Sequence, residues 1–193
     1  STFRRGAAYG RRWQAFENGE GPEPERDIQF DIFRYLVKGE AQVSTHTQMA
    51  QVVQMTLRLV KQEMGIDVYI DHGTFDGYKM AAMAQELGVA AILGPRSIEP
   101  PINGWIRGLG VNEDGRVTGV AAAYQQRGHK AIGLNTDAPV IPQEELTVQA
   151  SVACRYGFDD AALDVVRALT IVPAQTAGIA DKVGSIEAGK QAD

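Results

Sequence analysis

Cysteine is almost missing from this sequence. Its 193 residues hold one, Cys154, which excludes an internal disulfide and any multi-cysteine zinc site. Cys154 lies in the apolar stretch SVACRYGF with no histidine near it in sequence, and so reads as a small core residue rather than a nucleophile. Histidine is scarce as well, at three residues, so a metal site would have to combine those with carboxylates. There is no excess of positive charge: 19 Lys and Arg stand against 24 Asp and Glu, a net of -5, which argues against a nucleic-acid partner. A run of about 18 apolar residues does not occur, so no membrane span is expected. The opening STFRRGAAYG lacks the apolar core of a signal peptide. A cytoplasmic setting is the expectation, with a periplasmic or exported protein that has lost its leader left open. Neither a G-x-G-x-x-G fingerprint nor a P-loop is present, which weakens any nucleotide-binding reading. What is there, 44% hydrophobic and 22% charged residues, is the balance of an ordinary globular chain with a core to bury.

Periodicity organises the chain. Ser1 to Asn18 reads as a helix with Arg4, Arg5, Arg11 and Arg12 forming a solvated face, closed by the breaker-rich run from Asn18 to Pro24. A second helix is expected from about Arg26 to Val37, with Gly39 as its stop. Then a pattern repeats. Short apolar strands at Ala41 to Thr45, Asp67 to Asp71 (DVYID), Val89 to Leu93 (VAAIL) and Lys130 to Leu134 (KAIGL) alternate with helices at about Met49 to Met64, Phe75 to Leu87 and Val117 to Arg127. Each of these helices is followed by a glycine. Further helices are expected at about Gln143 to Tyr156, Asp159 to Leu169 and after Pro173. Strand followed by helix, repeated, is the signature of βαβ units and a parallel sheet, so the class is α/β. A doubly wound sheet and part of a (β/α)₈ barrel both satisfy it.

In such folds chemistry sits at the C-terminal ends of the strands. Those ends read Ser44-Thr45-His46, Asp71-His72-Gly73, Gly94-Pro95-Arg96 and Asn135-Thr136-Asp137. Two histidines and a carboxylate at equivalent points suit a zinc, manganese or iron ion. Strict alternation puts Val68, Ile70 and His72 on one face, with Asp71 pointing away from His72, and puts Gly133, Asn135 and Asp137 on another shared face. His129 precedes the fourth strand and so belongs to the opposite rim, where residues serve stability. Trp13 and Trp105 read as packing or loop-anchoring residues.

The runs LVKGEAQVSTHT, VYIDHGT, AAILGPR, GLNTDAPVIP and VRALTIVPAQTAGIADKVGSIEAGKQAD, in this order, resemble the C-terminal half of a metal-dependent amidohydrolase of the imidazolonepropionase-like branch. The resemblance covers about Leu36 to Asp193, and more weakly the first helix with FRRGAAY. It implies a (β/α)₈ barrel of which this chain supplies about strands five to eight, over residues 1-180, with 181-193 leading into a β-sandwich segment. The N-terminal half of the barrel, with the family's H-x-H pair and fourth-strand ligand, is absent from this chain. By position His46 is then the fifth-strand metal ligand, His72 the sixth-strand ligand or a donor to the carbonyl oxygen, Asp137 the eighth-strand ligand and proton acceptor, and Arg96 a binder of substrate.

The same resemblance implies a hydrolase of amide or other C–N bonds using one or two divalent ions, zinc first, with iron or manganese as alternatives. The partners it implies are a small-molecule amide and the missing half of the barrel. On its own the chain is expected to be inactive. Two other readings stand beside this one. The first is a heterocycle deaminase of the same superfamily, against which counts Met49, because deaminases carry an acidic residue three positions after the fifth-strand histidine. The second is a non-catalytic half barrel serving only assembly. A face carrying Val68, Ile70, Ala90 or Ile92 is expected to be left toward solvent, with dimerisation or a larger homo-oligomer through the open edge as one consequence.

Overall fold

The computed structural model describes residues 1–95, 98–99 and 117–191. Its centre is a parallel sheet of β1 (Val43–Thr47), β2 (Val68–His72), β3 (Ala91–Leu93) and β6 (Ile132–Leu134), in the order β1-β2-β3-β6. All three pairings are parallel, so consecutive strands are neighbours. Two residue pairs, Ile98–Glu99 (β4) and Thr118–Gly119 (β5), form a short antiparallel ribbon that the strand pattern did not foretell.

Helices cover one face of the sheet. α3 (Ala50–Thr56) follows β1 and continues into a wider π-helical stretch, Leu57–Glu63. α4 (Ala81–Glu86) follows β2 after a 3₁₀ turn at Gly77–Met80. α5 (Val120–Gln126) precedes β6. Beyond β6 come α6 (Leu146–Arg155), α7 (Asp164–Leu169) and α8 (Ile171–Thr176). Val68 and Ile70 of β2 pack with Val53, Leu57, Ala81, Ala84 and Tyr124 in one cluster. Leu57 and Ile70 are fully buried, each stabilising the fold by roughly 1.5–3 kcal/mol through burial alone.

Two expectations change here. Val68 and Ile70 face the helices, not solvent, because the parallel sheet places its apolar positions under its own crossovers. The uncovered face instead carries Ser44 and His46, which are exposed, and Tyr69, Asp71 and Ile92, which are half-buried. The second helix is α2, shorter than expected at Ile32–Lys38. Residues ahead of it are tied into turns, with Asp27 Oδ1 accepting from the Gln29 amide at 3.0 Å and the Asp27 amide donating to Tyr9 Oη at 3.2 Å.

α1 (Thr2–Glu17) packs on α2 through an aromatic cluster of Tyr9, Trp13, Phe30 and Phe33. Its arginines are not simply solvated. Arg4 forms a two-pronged pair with Glu63 at 2.7 and 2.9 Å, and Arg11 donates to the Met64 carbonyl at 2.7 Å, which fastens α1 to the end of the π-helical stretch. Arg34 lies 4.0 Å above the Trp13 ring, a cation–π contact that explains this tryptophan as a packing residue. Among the described residues no helix is long and apolar enough to cross a membrane.

Candidate functional site

Parallel pairing sets the site. β1 and β2 run side by side with His46 opposite Asp71 and Thr47 opposite His72, so both histidines reach the C-terminal edge together. Their rings meet edge to face, with centroids 4.1 Å apart. His46 is exposed on the uncovered face, whereas His72 is 2% exposed.

Alternation alone would send His72 to the helix side with Val68 and Ile70, away from Asp71. It does not go there. His72 has a left-handed φ of 73°, uncommon for a residue with a Cβ, and its Nε2 lies 3.9 Å from Asp71 Oδ2. The expectation that Asp71 points away from His72 is thus corrected: the backbone twist at the strand end breaks the period of two.

His72 Nδ1 lies 2.5 Å from the Gly94 carbonyl oxygen. A carbonyl can only accept, so Nδ1 donates here and Nε2 is the ring nitrogen left out of this bond. A histidine that ligates a metal through Nε2 makes this kind of bond with its other nitrogen. The close approach depends on two glycines. A Cβ on Gly94, at φ 137°, would lie 2.3 Å from the Asn135 carbonyl oxygen, and one on Gly73, at φ 55°, would lie 2.6 Å from Tyr124 Oη. Only glycine fits such positions without strain.

The loops carrying the two histidines are also latched together. Asp76, buried in the loop after β2, accepts from the Ala50 amide at 2.8 Å and so caps α3 across the chain. Beneath it Tyr124 Oη donates to the Gly73 carbonyl at 3.1 Å. Burial, with the Asp76 charge as a lesser cause, pushes the Tyr124 phenol well above its ordinary value, so it acts as a neutral donor.

Asp137 sits in the turn after β6, exposed, with a left-handed φ of 51°. Its carbonyl accepts from the Val140 amide at 2.8 Å. Among the described residues no group of three His, Cys, Asp or Glu side chains converges to hold a metal ion. The structure joins His46 to His72 through their ring contact. Arg96, Trp105 and Asp193 lie outside the described residues. His129 is 2% exposed. It packs on Tyr124 with centroids 5.6 Å apart, and burial holds its pKa below the ordinary value while the nearby Ala131 and Ala81 backbone opposes the shift in part.

Sequence reasoning passed over two residues here. Asp71 accepts from Asn135 Nδ2 at 3.0 Å and meets Ser44 Oγ at 3.5 Å. The signal for Asp71 was its place across from His46 on the next strand, legible once the register is known. A cavity of about 630 Å³ opens at the other end of the sheet, lined by Gln42, Tyr69, Ala90, Ala131 and Thr176. It lies at the N-terminal ends of the strands, away from the histidine pair.

The chemistry of the donors fits a divalent ion at His46 and His72: two neutral-capable imidazoles in contact, one with Nδ1 committed to a backbone carbonyl.

No curated protein matches the chain. Residues 114–193 match the amidohydrolase family model. Among solved structures, the chain is similar to an amidohydrolase from Thermotoga maritima MSB8, with 26% identity and a TM-score of 0.76, over 99% of this chain and 46% of that one. It resembles in fold an uncharacterized metal-dependent hydrolase from Pyrococcus furiosus, at 19% identity and TM-score 0.57 over 78% of this chain and 32% of that one. It resembles likewise an adenosine deaminase from Xanthomonas campestris with bound zinc, at 20% identity and TM-score 0.51 over 99% of this chain and 46% of that one. The chain thus spans about half the length of the first solved relative, 46%. With a parallel α/β sheet, a family match over its C-terminal part and these neighbours, it is similar to the metal-dependent hydrolases of the amidohydrolase superfamily.

Proposed function

We propose that this chain forms the C-terminal half of a (β/α)₈ amidohydrolase barrel and contributes part of the metal-holding edge of a hydrolase acting on amide or other C–N bonds. The observation that carries the reading is the His46–His72 ring contact, with Nδ1 of His72 committed to the Gly94 carbonyl and Nε2 left out of that bond. The sheet supports the half-barrel element: four parallel strands in sequential order, with neither β1 nor β6 paired on its outer side among the described residues.

His46 and His72 would hold the ion, both as neutral imidazoles. A bound divalent ion supplies Lewis acidity toward a scissile carbonyl and acidifies water. Asp137, on an exposed turn beyond the last strand, takes up a proton from water and returns it to the leaving amine. Arg96 follows β3 in sequence, where a guanidinium suits a substrate carboxylate. Zinc is the first choice for such a donor set, with iron or manganese as alternatives.

The deaminase reading is kept because of the zinc-bound Xanthomonas neighbour, and the two reactions release different products. Incubating the protein with zinc, manganese or iron(II) and separate panels of N-acyl amino acids, dipeptides and amino-heterocycles tests both. Release of a substituted amine from an amide supports the amide hydrolase. Release of ammonia from a heterocycle supports the deaminase, and turnover of neither by a completed barrel with metal bound supports the assembly-unit reading.

A further inference from the structure

Resting on the reading that His46 and His72 hold the ion, we infer that Asp71 is the positioning residue of the pair, fixing where the two rings meet without entering the ligand set. One carboxylate ties together the whole sheet edge. Oδ1 accepts from Asn135 Nδ2 at 3.0 Å, and the same amide nitrogen donates to the Ile92 carbonyl on β3 at 3.1 Å. Oδ2 meets Ser44 Oγ of β1 at 3.5 Å. Asp71 therefore connects β1, its own β2, β3 and the chain leaving β6, directly across from His46 in the register and next to His72 in sequence.

The geometry shows how the carboxylate is tethered. Nδ1–H of His72 is committed to the Gly94 carbonyl, and Nε2 lies 3.9 Å from Asp71 Oδ2, beyond hydrogen-bond distance. The Asn135 and Ser44 donors hold the carboxylate from its other sides, so it sets the spacing of the strand ends that carry the two rings without bonding to Nε2. Among the described residues the buried Asn135 Oδ1 has no hydrogen-bond partner, so within them that side chain is oriented by its donor end. Side-chain partners of this kind typically govern metal affinity by 10- to 100-fold, roughly, without touching the ion.

The test uses the 193-residue chain, metal-free, labelled with nitrogen-15 and observed by NMR. In the parent chain the His72 ring should show the Nδ1–H tautomer and a cross-ring nuclear Overhauser effect to His46. Asp71→Ala should abolish that effect, while the His129 resonances and the backbone spectrum of the helices stay in place. Asp71→Asn, which keeps an acceptor for Asn135, should restore the ring contact. Cobalt(II) affinity should fall about 10- to 100-fold in Asp71→Ala. An unchanged ring contact in Asp71→Ala overturns the inference whatever cobalt does. Loss of the contact in a chain that takes up no cobalt even in parent form supports positioning by Asp71 and overturns the metal reading instead. Should Asp71→Ala not fold, Asn135→Ala removes the same tether from its other end, and an intact ring contact there overturns the inference equally.

Discussion

The rings of His46 and His72 stand edge to face, 4.1 Å between centroids, because two parallel strands end at the same level and the second ends in a left-handed residue. The strand pairing supplies the level, with Thr47 opposite His72. The φ of 73° at His72 supplies the direction. Neither ring would meet the other if His72 kept the extended backbone of the strand before it.

The glycine behind this turn is the first point to test. Gly73→Ala places a methyl within 2.6 Å of Tyr124 Oη and 2.8 Å of Leu93 Cδ2, at a φ of 55°. The substitution should cost roughly 1–3 kcal/mol from the backbone conformation alone, with the clash adding to it. Chemical denaturation with a far-ultraviolet probe measures it, and a change below a few tenths of a kcal/mol would contradict this description of the turn.

The latch between the two histidine-bearing loops gives a second prediction. Asp76→Ala leaves the Ala50 amide without its 2.8 Å acceptor, and should lower stability by about 0.5–2 kcal/mol, the usual cost of a lost helix cap. Amide exchange at Ala50 should accelerate while exchange in α6 stays as it was.

Acid should weaken the fold through His129. Its folded pKa is held below the ordinary 6.5 by burial, so the unfolded chain binds a proton more readily than the native one. Stability is then full above about pH 6.5 and falls as pH drops from there toward the depressed folded value. His129→Gln should flatten that part of the unfolding profile. A profile that keeps its full slope between pH 6.5 and 5 in the variant would assign the acid sensitivity to other groups.

In turnover the two ends of β6 should separate. Where the protein hydrolyses an amide, Asp137→Asn should lower turnover by roughly 10²- to 10⁴-fold, as for loss of a general acid–base group, and His129→Gln should leave it near normal. Equal losses from both changes would contradict the assignment of strand ends.

Much of the fold was legible because a parallel sheet writes itself as apolar pentads separated by glycine-stopped helices. All four sheet strands fall where AQVST, DVYID, VAAIL and KAIGL put them, within two residues. What alternation misassigned has a physical cause. Val68 and Ile70 turn toward their own crossover helices, so the open face is more polar than expected, and the left-handed residue at His72 cancels the period of two where the chemistry lies. Asp71 and Asn135 were visible as strand-end residues, but their bond runs across two intervening strand pairings, which no local pattern encodes. The β4–β5 ribbon escaped for a plainer reason, since two residues per strand leave no periodicity to read.

One titration bears most directly on the histidine pair as the seat of a metal. Cobalt(II) added to the nitrogen-15-labelled chain, followed through the ring signals of its three histidines, reads even weak binding by paramagnetic broadening. His46 and His72 should broaden together at the lowest cobalt concentrations while the buried His129 stays sharp, and His46→Ala should protect His72 from broadening. Broadening of His129 first, or of His72 undiminished by His46→Ala, would contradict a shared site at the ends of β1 and β2.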